Sequence, residues 1–339
     1  MDAGAAEQVL MGRDLEAALA ALKKDWGFLS SRIRTAEHNV RTDHQNLNLR
    51  LHYPALRDAR ATVEELVDTI AQCLTHYSLP RKLIQDAYAS WPTMATDFER
   101  HRAITRLEAE ARSLFIRARK SSHRTGEAGE LLLYLLTEWL LDAPQIIAKM
   151  SLKTSAQMPI HGSDGVHARL DKKSHRLILY SGEAKLHSDL DAAIRSAVDS
   201  IKAAVSHEKI SHEIALVRRN IDFAGLDEQS RSSLLRYLDP FDEASNDRIE
   251  IVTCLIGFDF AAFNELTADG EHSADASFQS LATTKLRDAA PRVARALIAA
   301  GLAKQRIELF LFPVPSVAML RDLFQDAIGW TKEENAGAR

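Results

Sequence analysis

Asp164, Glu183 and Lys185 are the residues of this chain whose types and spacing best suit chemistry. The segment HGSDGVHARLDKKSHRLILYSGEAKLH carries an aspartate on one strand-like run and Glu183-Ala184-Lys185 on the next, with Asp171-Lys172-Lys173-Ser174 between them. Two β-prone runs parted by a polar cluster predict a β-hairpin. Side chains alternate along a strand, so Glu183 and Lys185 share a face with Leu177, Leu179 and Ser181, while Ile178, Tyr180, Gly182 and Ala184 share the other. With the turn centred between Lys172 and Lys173, Asp164 falls opposite Ser181 and diagonal to Glu183, within cross-strand reach. A slip of one residue would send Asp164 to the other face.

Two carboxylates and an ammonium on one patch suit phosphodiester hydrolysis. Mg²⁺, with Mn²⁺ as a substitute, is a hard cation that takes a couple of carboxylates and fills its shell with water and substrate phosphate. Asp164 and Glu183 would anchor it. The ion polarises the phosphoryl oxygen and acidifies a water, and Lys185 would orient that water or offset charge developing on the phosphate. Zinc is disfavoured: strand alternation puts His161 and His167 on the far face, His175 lies beside the turn, only His187 is in phase, and no cysteine is near. A Glu and a Lys two apart on a strand are also what a solvated sheet face shows, so the flanking elements decide the weight of the pattern.

Upstream, Thr125-Gly126-Glu127-Ala128-Gly129-Glu130 leads into LLLYLLTEWLL, which predicts a buried helix with acidic residues in its first turn. Those acids suit the helix dipole, the plain account of Glu127 and Glu130. Downstream, Ser188-Asp189-Leu190-Asp191 predicts a helix start, and Leu190, Ile194, Ala197, Val198, Ile201 and Val205 follow at helical spacing. The order is helix, a strand after Pro144, hairpin, helix.

From Arg117 to Ser206 the chain resembles the PD-(D/E)xK nuclease superfamily. More narrowly it resembles the bacterial anti-phage effectors that include HamA of the Hachiman defence system and the related AbpA proteins. The motifs GEAGELLLYLL, KMSLKT, HGSDGVH and SGEAKLH carry the resemblance, in that order and at close spacing. It implies a restriction-endonuclease-like core and a Mg²⁺-dependent DNA nuclease working with a superfamily 2 helicase subunit (HamB-like). By the same resemblance Asp164, Glu183 and Lys185 are catalytic and the Ala184 carbonyl joins the metal shell. A first-helix acid completes the site, Glu130 preferred and Glu127 second. Ser163 stands where the superfamily's name has proline.

The 339 residues carry 43 basic and 47 acidic side chains, a formal charge of −4. A nuclease still needs local cations to displace phosphate counterions. Candidates for contact with DNA are Arg112, Arg117, Arg119, Lys120, His123 and Arg124 before the GEAGE motif, and Lys149 and Lys153 after the helix. Any of them can equally be a solvated helix face.

Residues 1–105 predict a mostly helical cap or docking region. EQVLMGRDLEAALAALKKDWGFLSSRI and TVEELVDTIAQCLTHY carry apolar residues at helical intervals, with a polar stretch from His38 to Asn48 between them. Breaks are expected at Tyr77-Ser78-Leu79-Pro80 and Trp91-Pro92. Residues 106–339 predict the nuclease domain: RIEIVTCLIG and RIELFLF read as buried strands separated by helices, so the expected fold class is α/β with a mixed central sheet flanked by helices.

Cys73 and Cys254 sit among apolar residues and predict buried free thiols in a reducing compartment. With no basic-apolar start at MDAGAAEQVL, and Leu131–Leu141 too short to span a bilayer, the expectation is a cytoplasmic protein without membrane contact. The chain lacks G-x-x-x-x-G-K-[ST] and G-x-S-x-G, so a motor would have to come from another polypeptide and a serine-hydrolase elbow is excluded. Two other readings remain at this stage: a catalytically silent DNA-binding or regulatory subunit of a helicase complex, and a nuclease for RNA.

Overall fold

The structure, a computed structural model, describes residues 15–122, 126–153, 163–221, 226–266 and 274–330. Among these, seven strands build one sheet: β1 Ile33–Glu37, β2 Leu47–Pro54, β3 Gln145–Ile147, β4 Gly165–Leu170, β5 Leu177–His187, β6 Ile249–Asp259 and β7 Ile307–Val314. Their spatial order is β1-β2-β7-β6-β5-β4-β3. The central run β2-β7-β6-β5 is parallel, and antiparallel strands close both sides, β1 at one edge and the pair β4 and β3 at the other. This is the mixed α/β sheet that the strand and helix alternation predicts.

The helices are α1 Val63–Ala71, α2 Leu74–Ser78, α3 Arg81–Ala89, α4 Asp97–Ser122, α5 Glu127–Leu140, α6 Lys149–Lys153, α7 Leu190–Ala204, α8 His207–Asn220, α9 Glu228–Leu238, α10 Ala274–Ala299 and α11 Val317–Ala327. On one face of the sheet, residues of α5, α2 and α11 pack with Ile178, Tyr180, Ala184 and Leu186 of β5. On the other, α7 and α10 cover β2, β6 and β7, while α8 and α9 pack near the hairpin. With helices on both faces, β6 and β7 must be apolar almost throughout, which is why IEIVTCLIGFD and IELFLFPV read as continuous runs.

Helix α5 is buried along nearly its whole length. Each of its leucines that is fully withdrawn from water contributes about 1.5–3 kcal/mol, so the helix anchors the core and holds its acidic first turn in a fixed place. Helix α7 begins as its sequence predicts: the Asp189 side chain accepts from the Ala192 amide at 2.8 Å, an N-cap placed just after β5. Among the described residues no helix is long and apolar enough to cross a membrane.

The N-terminal region differs from expectation. Residues 15–21 are helical and TVEELVDTIAQCLTHY forms α1 and α2, but β1 and β2 are strands of the central sheet rather than parts of a helical cap. Strand β2 pairs with β7 from Leu47 opposite Ile307 to Leu51 opposite Leu311, so residues on both sides of 105 share one sheet. The physical reason lies in the strand itself: Leu47, Leu49, Leu51 and Tyr53 alternate with Asn48, Arg50 and His52, and all four apolar side chains are buried.

Candidate active site

The hairpin pairs Gly165 with Gly182 and Val166 with Ser181. The register therefore lies two residues from the expected one, and continued one step past Gly165 it sets Asp164 across from Glu183 instead of Ser181. Two is an even number, so Asp164 keeps the face of Glu183. Turn chemistry sets the shift. The Asp171 carboxylate accepts from the Ser174 amide at 3.1 Å and its hydroxyl at 2.6 Å, and His175 takes a left-handed backbone (φ 54), so the chain turns one step later than Lys172-Lys173.

Asp164 sits just before β4 begins and continues the ladder with its side chain. Its amide donates to the Gly182 carbonyl at 2.7 Å, and its Oδ2 accepts from the Ala184 amide at 2.9 Å. In an antiparallel ladder the N–H and C=O of one residue point toward the same neighbour, so the Ala184 carbonyl is directed to the side on which Asp164 lies. One position along, the Lys185 ammonium donates to Glu183 Oε2 at 3.2 Å.

Burial raises the Glu183 carboxyl above its ordinary range, against the pull of the Lys185 and Lys209 ammoniums. Burial also opposes the charge on Lys185, but the Glu183 and Asp164 carboxylates outweigh it and raise the ammonium's pKa. Lys185 is thus a fixed cation at neutral pH.

Helix α5 comes close because glycine faces it and glycine stands in it. A Cβ on Gly129 would lie 3.1 Å from Leu186 Cγ, and one on Gly182 would lie 3.1 Å from Leu133 Cδ2. This approach brings the buried Glu130 to the hairpin, near enough that its charge acts on Glu183. Tyr77 of α2 joins the two parts. Its hydroxyl lies 3.2 Å from both Glu130 Oε2 and the Asp164 carbonyl oxygen, two acceptors for one proton. Burial first, then the charges of Glu130 and Asp164, push that phenol far above its usual range. Glu127 is also buried, but its charge acts on Arg321, which donates to the Leu186 carbonyl at 2.7 Å.

Sequence reasoning missed a second polar cluster on this side. Lys149 is 1% exposed, and its ammonium reaches the Ser163 carbonyl at 3.0 Å, the Ser163 hydroxyl at 2.9 Å and the Glu213 carboxylate of α8. A lysine so enclosed does not present its charge to DNA, and the expectation that it would is corrected. The KMSLKT motif was the available signal. The sequence places Tyr77 at the end of a helical segment and at a break before Pro80, with no role in the site; it lies in the last turn of α2 with its ring buried.

Glu183 also lines a cavity of about 70 Å³ with Ser163, Val166, Lys209, Ile210 and Glu213. That space can admit water to the carboxylate. The donors gathered here are hard oxygens, the kind Mg²⁺ takes. Among the described residues no group of three His, Cys, Asp or Glu side chains is drawn close enough to hold an ion as they stand, since Asp164 turns to an amide and Glu183 to Lys185. His167, as its alternation predicts, belongs to the other face: it is buried against Tyr134, lies 2.9 Å from the Ala143 carbonyl, and burial lowers its pKa to about 4.

Of the proposed DNA-contacting cations, Arg117 is exposed on α4 and donates to Ser113. The side chains of Arg119, Lys120 and Lys153, and residues His123 and Arg124, lie outside the described residues, as does His161.

No curated protein matches this chain. The family model of HamA matches residues 30–328, across both the hairpin site and the strands on either side of it, and the chain belongs to the HamA family.

Proposed function

We propose that this HamA-family chain is a Mg²⁺-dependent DNA nuclease of the PD-(D/E)xK type, the effector of a Hachiman anti-phage system acting with a superfamily 2 helicase. Family membership supports the defence role. The observation that carries the chemistry is the Asp164 carboxylate held on the Ala184 amide, between Glu183 and Lys185, with Glu130 delivered from α5. Asp164, Glu183, the Ala184 carbonyl and Glu130 would hold the ion. When bound, it supplies Lewis acidity at the phosphoryl oxygen and makes a water acidic enough to attack.

The protein's own groups divide the remaining work. Lys185 keeps its proton at neutral pH, so it serves to offset charge gathering on the phosphate oxygens rather than to accept a proton. Burial raises the Glu183 carboxyl above its ordinary range, and cations drawn to it favour the carboxylate. Tyr77 ties the α5 acid to the hairpin and limits how far the two can drift apart. Arg117, with Arg119, Lys120, Arg124 and Lys153, is the proposed path for the DNA backbone.

The test is cleavage of linear, circular and single-stranded DNA with Mg²⁺, by the chain alone and with its helicase, beside Asp164→Ala, Glu183→Ala and Lys185→Ala and with EDTA. Each substitution should lower the rate by about 10³-fold or more while the fold persists. Full cutting by all three variants would overturn the reading. One observation favours a second reading, a silent DNA-binding subunit: both hairpin carboxylates are engaged by the protein itself. DNA binding without cleavage under every condition, and phage protection that survives loss of the carboxylates, would select it.

A further inference from the structure

The residue before Asp164 is held more tightly than a loop residue needs to be. Ser163 is 6% exposed and meets protein on every polar atom: its carbonyl and hydroxyl accept from Lys149 at 3.0 and 2.9 Å, and its hydroxyl lies 3.0 Å from Glu213 Oε1 and 3.1 Å from the Gly165 carbonyl. Its amide donates to Glu213 Oε2 at 3.4 Å. Lys149 comes from α6, which follows the edge strand β3, and Glu213 from the middle of α8. Two elements distant in sequence thus meet on one serine, and the next residue is the aspartate whose carboxylate faces the Ala184 amide.

Enclosing a lysine completely and a glutamate for the most part is unfavourable unless their geometry serves a purpose. An apolar pair of similar volume would hold the same elements together at least as well. What an apolar pair would not do is fix the rotation of the Ser163 peptide, because only hydrogen bonds set direction. That peptide determines where the Asp164 Cα–Cβ bond points.

We infer that Lys149 and Glu213 form a positioning clamp for Asp164, acting through Ser163 to fix the aspartate against Ala184. The inference rests on the nuclease reading for the purpose of the clamp and on the structure for its existence. Lys149 and Glu213 act through Ser163 rather than on the reacting atoms. Their effect is on how readily Asp164 presents its oxygens to a cation, as outer hydrogen-bond partners do for metal ligands elsewhere.

Removing one partner alone would strand a buried charge and unfold the chain for an uninformative reason. The informative variant is the double substitution Lys149→Met with Glu213→Met, with Lys149→Arg as the conservative control. Three quantities are read on the full chain: thermal midpoint, amide hydrogen exchange at Ala184, and Mn²⁺ binding by titration. The double variant should remain folded, exchange the Ala184 amide about tenfold faster or more, and bind Mn²⁺ about tenfold more weakly, while Lys149→Arg recovers part of both. A folded double variant with Ala184 exchange and Mn²⁺ affinity unchanged overturns the clamp. Failure of the nuclease reading looks different: the unsubstituted chain then binds no Mn²⁺ and cuts nothing, and Ala184 exchange alone still decides the clamp. A double variant that does not fold is replaced by Lys149→Gln with Glu213→Gln, read by the same exchange.

Discussion

Strands β5 and β6 lie side by side, run parallel and span eleven residues each, yet they carry opposite chemistry at the same height. Glu183 pairs with Cys254 and Lys185 with Ile256. Cys254 and Ile256 are fully buried beneath α7 and α10, whereas Glu183 borders the cavity beside α8 and Lys185 is partly exposed. The pleat is the same, so the difference comes from what stands over each strand. Next to β5, β4 begins only at Gly165, and Asp164 takes over the ladder with its side chain. The lesson is that β5 carries its charges where a neighbouring strand starts late, whereas in the middle of the sheet a charge such as Glu308 of β7 is held by a partner, Arg50 of β2.

The comparison breaks most decisively at Cys254. Cys254→Glu would place a carboxylate in a position closed to water and next to Glu183, and should lower stability by about 4 kcal/mol or more, enough to lose the soluble fold. Glu183→Gln should leave it within about 1 kcal/mol. Urea denaturation of both variants checks this, and equal losses would mean the two strands are not as different as their coverings suggest.

A smaller effect is expected at Tyr77, which belongs to neither strand but ties α5 to the hairpin. Tyr77→Phe removes one hydroxyl between Glu130 and the Asp164 carbonyl, and should lower stability by about 1 kcal/mol and cleavage by several fold. A variant with unchanged unfolding and unchanged initial rates would show that the tie carries no weight.

The finest test is pH. Burial raises the Glu183 carboxyl, so the folded state binds its proton more tightly than the unfolded chain does. Glu183 therefore favours the fold at low pH, and that contribution is lost as pH rises through its folded pKa. Cation binding needs the carboxylate, so the acid limb of the cleavage profile should lie above the ordinary value of 4.5. Raising Mg²⁺ tenfold should move the limb down by about one pH unit if a single proton is exchanged for the ion. A limb indifferent to Mg²⁺ would separate Glu183 from the metal.

The parts of the fold legible in the sequence were those with a single dominant signal. β6 and β7 are apolar runs covered on both faces, α5 is a leucine-rich helix, and α7 opens on an aspartate cap. β2 was missed although Leu47, Leu49, Leu51 and Tyr53 alternate in it, because the polar residues before Asn48 and the helical segments on both sides hid a short period-two pattern. In the site, the shared face of Glu183 and Lys185 follows from alternation alone, whereas the face of Asp164 depends on register and agrees because the shift is even. The register itself does not follow, since Asp171 and Ser174 close the turn through side-chain bonds that a count of residues does not contain. Tyr77 and Glu213 are illegible as site residues, and Lys149 is legible only as a cation in KMSLKT, because each arrives from a different element and only tertiary structure brings them to Asp164.

The pairing of Leu47 with Ile307 has a consequence for synthesis of the chain. β2 leaves the ribosome early and waits, with one long edge unsatisfied, until β7 has been made. β6 waits on its own side for the same strand. A chain halted before residue 307 therefore displays two open strand edges, a pattern that invites aggregation or capture by quality control. Interrupted translation would yield fragments marked for removal rather than stray half-built protein.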